Sequence, residues 1–390
     1  MLRICTLLFL LTASGLVAQP PQELSDSARI SLITVAPGEM LYSTFGHSAL
    51  RVSDPYRGFD RCYNYGTFDF DQPNFLFKFC RGKLLYFLNT EPYQAFEYSN
   101  LYELRPMQEQ LLNLSPEARQ RLFDLLEENA RVENRYYKYD FFYDNCATRI
   151  RDIVQETFFY QINFDSSQLP LGTTMRQLLW PYLREMPWTE FGIDLLLGTP
   201  ADRVAQTEDY MFLPDHMHDL FGRASLSNGQ PLVSAEHPIP DYPAPAWPAV
   251  EPGFFDHPIW VTCLIAFIGL LSMANPISER IFDTLFWLVL GLAGLTMLLL
   301  WVATDHAPTK YNWNILWALP THLLFFWRSK RSEWTENYAM VTGALAMLVL
   351  LFWGFLPQNL PEAALPIVVL VIIKAFFRRY WKRAPAGEIA

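Results

Sequence analysis

The stretch that decides the fold is Tyr143-Asp144-Asn145-Cys146-Ala147-Thr148-Arg149-Ile150-Arg151-Asp152-Ile153-Val154. Ile150, Ile153 and Val154 lie on one side of a helix, and Asp144 or Asn145 supplies an oxygen to cap its start. Cys146 then falls in the first turn. There the free amides and the positive end of the helix lower a thiol's pKa and can hold an oxyanion. An amphipathic helix needs a partner layer, and the upstream segments read as strands. Residues 28–35 (Ala-Arg-Ile-Ser-Leu-Ile-Thr-Val) form the first, Pro37-Gly38 a turn, and 48–52 (Ser-Ala-Leu-Arg-Val) the second. Cys62–Phe70 alternates aromatic with small or polar residues, and Leu84–Leu88 and Tyr98–Leu104 add two more strands. Ser115-Pro116-Glu117 opens a further helix, with serine as cap and proline in the first turn. The expected class is α+β, an antiparallel sheet with helices.

His47 follows Gly46 at the head of the second strand. A lone cysteine at a helix start and a lone histidine before a strand are each more often structural than catalytic. Taken together in one exported domain they make a candidate thiol–imidazole dyad, and both readings stay open on the residues alone. Neither residue has clustered His, Cys or carboxylate neighbours at metal-ligand spacing, and there is no glycine-rich phosphate loop. No metal and no cofactor are expected.

The chain has 390 residues, 51% of them apolar, and a net charge of −10. No basic run occurs before residue 256, which argues against nucleic acid as a partner. Arg3, the apolar run Thr6–Leu11 and the small residues ending at Ala18 read as a signal peptide over 1–18. A catalytic domain over 19–237 follows, then a stiff spacer over 238–256 containing Pro238, Pro240, Pro243, Pro245, Pro248 and Pro252. Within the first of these, Trp188–Leu213 reads as helices and a turn, a scaffold. Five apolar segments fill a membrane domain over 257–380: Ile259–Ala274, Asp283–Ala303, Trp313–Trp327, Ala339–Phe355 and Ala363–Phe377. Arg280, Arg328, Lys330, Arg331, Arg378, Arg379, Lys382 and Arg383 lie on one set of loops and ends, and only Lys310 on the other. With basic loops inside, residue 256 is outside and the tail 381–390 is cytoplasmic. The expected setting is a multi-pass protein of the inner membrane with a periplasmic N-terminal domain.

One outer loop, Thr304–Asn314, gathers Asp305, His306, Lys310, Asn312 and Asn314 at the membrane rim. It reads either as a hydrated cap or as a head-group site. His322, inside the third segment, requires a partner there. Of five cysteines, Cys5 falls in the signal and Cys263 in an apolar helix. Cys62 and Cys80 are free to form a disulfide in an oxidising compartment, which spacing leaves open, and Cys146 stays unpaired.

Thr44-Phe45-Gly46-His47-Ser48-Ala49-Leu50-Arg51-Val52, followed by Tyr143-Asp144-Asn145-Cys146-Ala147-Thr148, resembles the circularly permuted, NlpC-like branch of the papain-fold thiol hydrolases. There the histidine strand precedes the cysteine helix, as in lecithin–retinol acyltransferase. With the run Tyr65-Gly66-Thr67-Phe68-Asp69-Phe70 and the membrane tail, the whole layout resembles the Lnb-type lipoprotein N-acyltransferases of Bacteroidota. The resemblance implies a permuted papain-like periplasmic domain before about five transmembrane helices. It implies acyl transfer from a membrane phospholipid through a Cys146 thioester to the amine of a lipoprotein's N-terminal cysteine. His47 would be the base, the Cys146 amide part of the oxyanion hole, and Asn64 the third, orienting residue, with Tyr63 or Tyr65 as alternatives. Tyr143, Asn145, Asp305, His306 and Asn312 are the candidate substrate contacts. A transferase needs an apolar channel to the membrane, to which Phe75–Phe79 and Phe141–Tyr143 are suited. The rival readings are a membrane-anchored cysteine amidase or peptidase acting on cell-wall peptides, and a non-catalytic envelope assembly factor.

Overall fold

The computed structural model describes residues 23–240, 252–327 and 333–380. The signal segment, most of the proline spacer, the basic residues Arg328, Lys330 and Arg331, and the tail 381–390 lie outside the described residues. The N-terminal domain is built on an antiparallel sheet of β1 (Arg29–Val35), β2 (His47–Asp54), β3 (Phe59–Thr67), β4 (Leu85–Pro92), β5 (Met107–Leu112), β6 (Tyr136–Lys138) and β9 (Val233–Ile239). Their lateral order is β6-β4-β3-β2-β1-β5-β9. A short ribbon pairs β7 (Ile162–Asn163) with β8 (Ser225–Leu226).

The near-continuous apolar run of β1 is explained by its neighbours, since both of its faces are covered. Ile30 and Leu32 pack with Leu50, Val52 and Tyr63 under α3 (Pro116–Ala130) and α4 (Cys146–Thr157). Ile33 and Val35 pack on the opposite face with Ala49, Cys62, Tyr93 and Phe96. That second layer comes from α2 (Tyr93–Tyr102), which corrects the strand expected at Tyr98–Leu104. Tyr93, Phe96 and Asn100 are buried at helical spacing, whereas Tyr98 and Tyr102 point to solvent. The aromatic content suggested a strand; the period of burial made a helix. The strand expected over Cys62–Phe70 likewise ends early, at Thr67, one residue after Gly66 takes a φ of +84°. Phe68 and Phe70 leave the sheet and pack on α1 (Phe75–Cys80). Cys62 lies in the α2 layer and Cys80 is exposed; both are free thiols, so the possible disulfide is absent.

Ser115 caps α3 as its sequence indicates, its Oγ accepting from the Ala118 amide at 3.2 Å. After α4 the chain forms α5 (Trp180–Leu183), α6 (Pro187–Leu196), α7 (Thr207–Tyr210) and α8 (Pro214–Arg223), and a buried cation holds α6 to the turn after it. Arg176 bonds both oxygens of Asp202 at 2.9 Å and Asp194 at 3.0 Å. Its Nη2 also reaches the Leu197 carbonyl at 3.0 Å. A guanidinium this buried is tolerable only because carboxylates and carbonyls replace its water.

The C-terminal domain contains α9 (Pro258–Ser272), α10 (Pro276–Val302), α11 (His322–Trp327), α12 (Glu333–Leu351) and α13 (Leu365–Tyr380). Of these, α10 and the Trp334–Leu351 part of α12 are long and apolar enough to cross a membrane by length and composition. The third apolar segment is not one helix. It starts as a 3₁₀ turn, Trp313–Leu316, passes Pro320 and only then becomes α11, because proline cannot continue the helical bonding. Gly294 of α10 lets this irregular backbone approach, since a Cβ there would meet the Ala318 carbonyl group. His322 and Lys374, both buried inside, are partnered. His322 has Tyr338 Oη at 2.9 Å and the Trp317 carbonyl at 3.3 Å, and Lys374 binds Asp283 at 2.7 Å and Ser272 at 2.9 Å. Those bonds tie α9, α10 and α13 together where water is scarce.

The domains are docked through α6 and α1. The last carbonyls of α6, left open by the end of the helix, accept from the membrane domain. Asn312 Nδ2 bonds the Leu195 oxygen at 2.7 Å and the Leu196 oxygen at 3.1 Å, and Gln358 Nε2 bonds the Leu197 oxygen at 2.9 Å. Trp188–Leu213 therefore does more than scaffold: it is the seat of the membrane domain.

Candidate active site

Asn145 rather than Asp144 caps α4. Its Oδ1 accepts from the Ala147 and Thr148 amides, both at 2.9 Å, and its Nδ2 donates to the Phe141 and Phe212 carbonyls at 2.9 and 2.7 Å. All of its side-chain capacity is consumed, so Asn145 fixes the helix start and is not open to substrate, correcting the contact expected of it. Asp144 instead pairs with Arg149. The cap fixes Cys146 as the first helical residue, 8% exposed.

β2 runs beside the start of α4, and the amide of Ser48 points at the Cys146 thiol, joined by those of Ala147 and Cys146 itself. His47, the preceding residue, begins the strand directly after Gly46, whose φ of +75° closes the loop from β1. Its Nε2 lies 2.5 Å from Asn64 Oδ1 on β3. An amide oxygen only accepts, so Nε2 carries the proton and Nδ1 keeps the lone pair. Tyr63 and Tyr65, the alternatives for this position, point to the other face of β3 and are buried there, bonded to Glu127 and Asn129. Gly66, whose φ of +84° favours glycine, forms the wall beside the cysteine: a Cβ there would stand 3.4 Å from Cys146 Cβ.

The electrostatics differ from the sequence expectation. Burial pushes the Cys146 thiol up; the three amides and Arg105 pull it back only in part. Burial pulls His47 down to about 4, against the bond to Asn64 and with help from the Arg105 charge. Both groups are therefore neutral at pH 7, not a preformed thiolate–imidazolium pair.

Arg105 was not singled out in the sequence. Only 6% exposed, it arrives at this end of the sheet because Val35 pairs with both His47 and Met107. Nε donates to the Ala36 carbonyl at 3.0 Å and Nη1 lies 3.6 Å from Glu103, while Nη2 has no partner among the described residues. Its one signal was positional, an arginine just ahead of a strand that neighbours the histidine strand.

The other expected contacts are dispersed. Tyr143 is exposed, with the Arg203 guanidinium 6.0 Å from its ring centroid. Asn312 is 2% exposed and spent on the α6 carbonyls, which corrects its assignment as a ligand residue. Asp305 pairs with Lys138 at 3.3 Å, and His306 Nε2 lies 3.1 Å from the Phe79 carbonyl. Among the described residues no cluster of three or more His, Cys, Asp or Glu side chains is placed to hold a metal ion.

No curated protein and no solved structure matches the chain. Two family models do. The model of the Lnb N-terminal periplasmic domain matches residues 22–179, and that of the Lnb transmembrane domain matches residues 251–384. The first spans β1 to β6 with Cys146, His47, Asn64 and Arg105, and the second spans all five helices of the C-terminal domain. The chain belongs to the Lnb family, as a membrane-anchored lipoprotein-modifying enzyme with a periplasmic N-terminal domain.

Proposed function

We propose that the protein is a lipoprotein N-acyltransferase working through a Cys146 thioester. The observation that carries this reading is the cluster of Cys146, the Ser48 amide, His47 and Asn64 in a domain seated directly on a membrane domain. In the first step Sγ attacks the ester carbonyl of a phospholipid as His47 Nδ1 takes the thiol proton. The C–O bond breaks, His47 protonates the departing alkoxide, and a lysophospholipid leaves. In the second step the free α-amine of a lipoprotein's N-terminal cysteine attacks the thioester, giving its proton to His47. The C–S bond breaks, an amide forms, and the proton returns to sulfur.

Each neighbour has a part in this scheme. The Cys146 amide, at the open end of α4, donates to the tetrahedral oxyanion. Asn64 orients the imidazole. Arg105 lends positive charge beside the thiol, favouring the anion that forms there. Lifting an acyl chain into water costs ~0.8 kcal/mol per CH₂, so a thiol held at the bilayer avoids a penalty that a free hydrolase would meet. The reading also takes the membrane as the inner membrane, with residue 256 outside, the C-terminus cytoplasmic, and a cleaved signal over 1–18. It keeps 19–237 as the catalytic domain, 238–256 as the spacer and 257–380 as the membrane domain.

Mass spectrometry of lipoprotein N-termini from cells with and without the protein tests the function. Loss of the amide-linked chain without the protein is expected. Intact N-acylation in its absence, or cleaved cell-wall peptides as its product, would sink the transferase reading. Asn64→Ala is expected to lower kcat roughly 10²-fold, in the range typical of lost acid–base positioning. Because the Asn64 bond raises the His47 pKa, the same variant should move the acid limb of activity further down, which a pH–rate profile reads directly.

A further inference from the structure

The sequence leaves a cluster of apolar residues that dyad chemistry does not use. Phe70, Leu76, Phe77 and Phe79 are 67, 70, 64 and 48% exposed, on and just before α1. A contiguous patch of this kind marks an apolar surface in need of a partner. Its position says which partner. The Arg81 carbonyl, immediately after α1, accepts from the Asp305 amide at 3.0 Å, and the Phe79 carbonyl lies 3.1 Å from His306 Nε2. Asp305 and His306 follow within four residues of Val302, the end of the 27-residue apolar helix α10. α1 is thus fastened at the level where a membrane-spanning helix leaves the bilayer. Lys78 on it and Arg81 and Lys83 just after it are cations that favour lipid phosphates, and Arg81 lies over the Phe77 ring at 5.5 Å.

From this patch a line of rings runs inward. Phe79 stacks on Phe75 with centroids 6.2 Å apart, and Phe75 meets Phe68 at 6.0 Å. Phe68 meets Tyr86 at 5.3 Å, and Tyr86 stacks on Tyr139 at 4.3 Å. Tyr139 and Cys146 share one wall, since a Cβ on Gly66 would lie 3.6 Å from the tyrosine ring and 3.4 Å from Cys146 Cβ. The rings are continuous from the membrane-level helix to the thiol.

We propose that α1 dips into the outer leaflet and that Phe75, Phe68, Tyr86 and Tyr139 form the lane along which one acyl chain of a membrane lipid reaches Cys146. The lane rests on the acyl-transfer reading; the dipping of α1 does not. Phe68 sits in it because the strand ends at Thr67, where the left-handed Gly66 turns the chain beside the lane's inner end.

The test uses the full-length protein in phosphatidylethanolamine vesicles. Single-turnover formation of the Cys146 thioester is followed by intact-mass spectrometry, with dioleoyl donor in the vesicle and dihexanoyl donor free in solution. For Leu76→Ser/Phe77→Ser, the ratio of dioleoyl to dihexanoyl rates should fall about tenfold or more below wild type. A ratio equal to wild type, whether the two rates are kept or fall together, overturns the lane. If wild type gives no thioester from either donor, the acyl-transfer reading fails and takes the lane with it. The membrane contact is tested separately by a spin label on Phe77→Cys, with Cys80→Ser and Cys263→Ser. Greater access to oxygen than to a water-soluble nickel complex is expected; the reverse overturns insertion whatever the chemistry.

Discussion

Replacing Cys146 by serine should abolish acyl transfer while leaving the protein folded. Serine differs from cysteine by one atom and keeps a hydroxyl facing the amides of Ser48 and Ala147, so the stability change should stay within about 1 kcal/mol. The chemical change is far larger. His47, held down to about 4, is a weak base, and it can assist a polarisable thiol but not a hydroxyl of much higher pKa. Losses after removal of a covalent nucleophile are at least on the order of 10³-fold and reach 10⁶. Intact-mass spectrometry should show no acyl adduct on the serine variant, and lipoproteins from cells carrying it should keep a free N-terminal amine. Unchanged N-acylation would exclude Cys146 as the nucleophile, and with it both the transferase and the thiol-hydrolase readings.

What the sequence disclosed about this site depended on how local the signal was. The Asn145-Cys146 helix start, the Ser115 cap and the His47 strand are set by neighbouring residues, and each was legible. For the residue beside His47 the sequence leaves Asn64, Tyr63 and Tyr65, because alternation fixes that the two tyrosines share a face without saying which face. In the structure both tyrosines are buried under α3 and α4, and Asn64 meets the imidazole. Arg105 was invisible because its meaning is non-local. It enters the site through the register that sets Val35 between His47 and Met107, and no spacing in the chain records that register.

The errors have the same origin. Tyr98–Leu104 has strand-like composition, and only its placement on a covered sheet face shows why Tyr93, Phe96 and Asn100 must lie on one side of a helix. Asn312 looked like a ligand residue because a polar side chain at a membrane rim has two uses. The α6 carbonyls claimed it. The direction of the Cys146 pKa was misjudged for a related reason. Helix-end amides act as expected, but the depth of burial that outweighs them is a property of the packed domain. In the membrane half, hydropathy located every apolar segment and could not show that the third is interrupted at Pro320.

His47 gives the second large effect, and its pH dependence discriminates between mechanisms. His47→Gln removes the base while keeping a polar side chain opposite Asn64, and a loss of roughly 10²–10⁴-fold in thioester formation is expected. In wild type the imidazole must be neutral to accept the thiol proton. Its pKa is lowered from the ordinary 6.5 to about 4, so kcat/KM for acylation should rise through about pH 4 and be flat by pH 6.5. The thiol is raised, so no second limb from a resting thiolate–imidazolium pair belongs near neutrality. The transfer step adds its own rise where the acceptor amine loses its proton, about 7.7–8.0 for an α-amine. Acylation must therefore be measured alone. The same shift has a stability consequence of fixed sign. Between pH 6.5 and about 4 the unfolded chain binds a proton that the folded one refuses, so the contribution of neutral His47 is full above 6.5 and is lost as pH falls through that window. An acid limb at 6.5–7 in the wild-type acylation rate would show an ordinary solvated imidazole. It would set aside the buried, lowered base argued here, whereas a preformed ion pair would show as a second, alkaline limb where the imidazolium loses its proton.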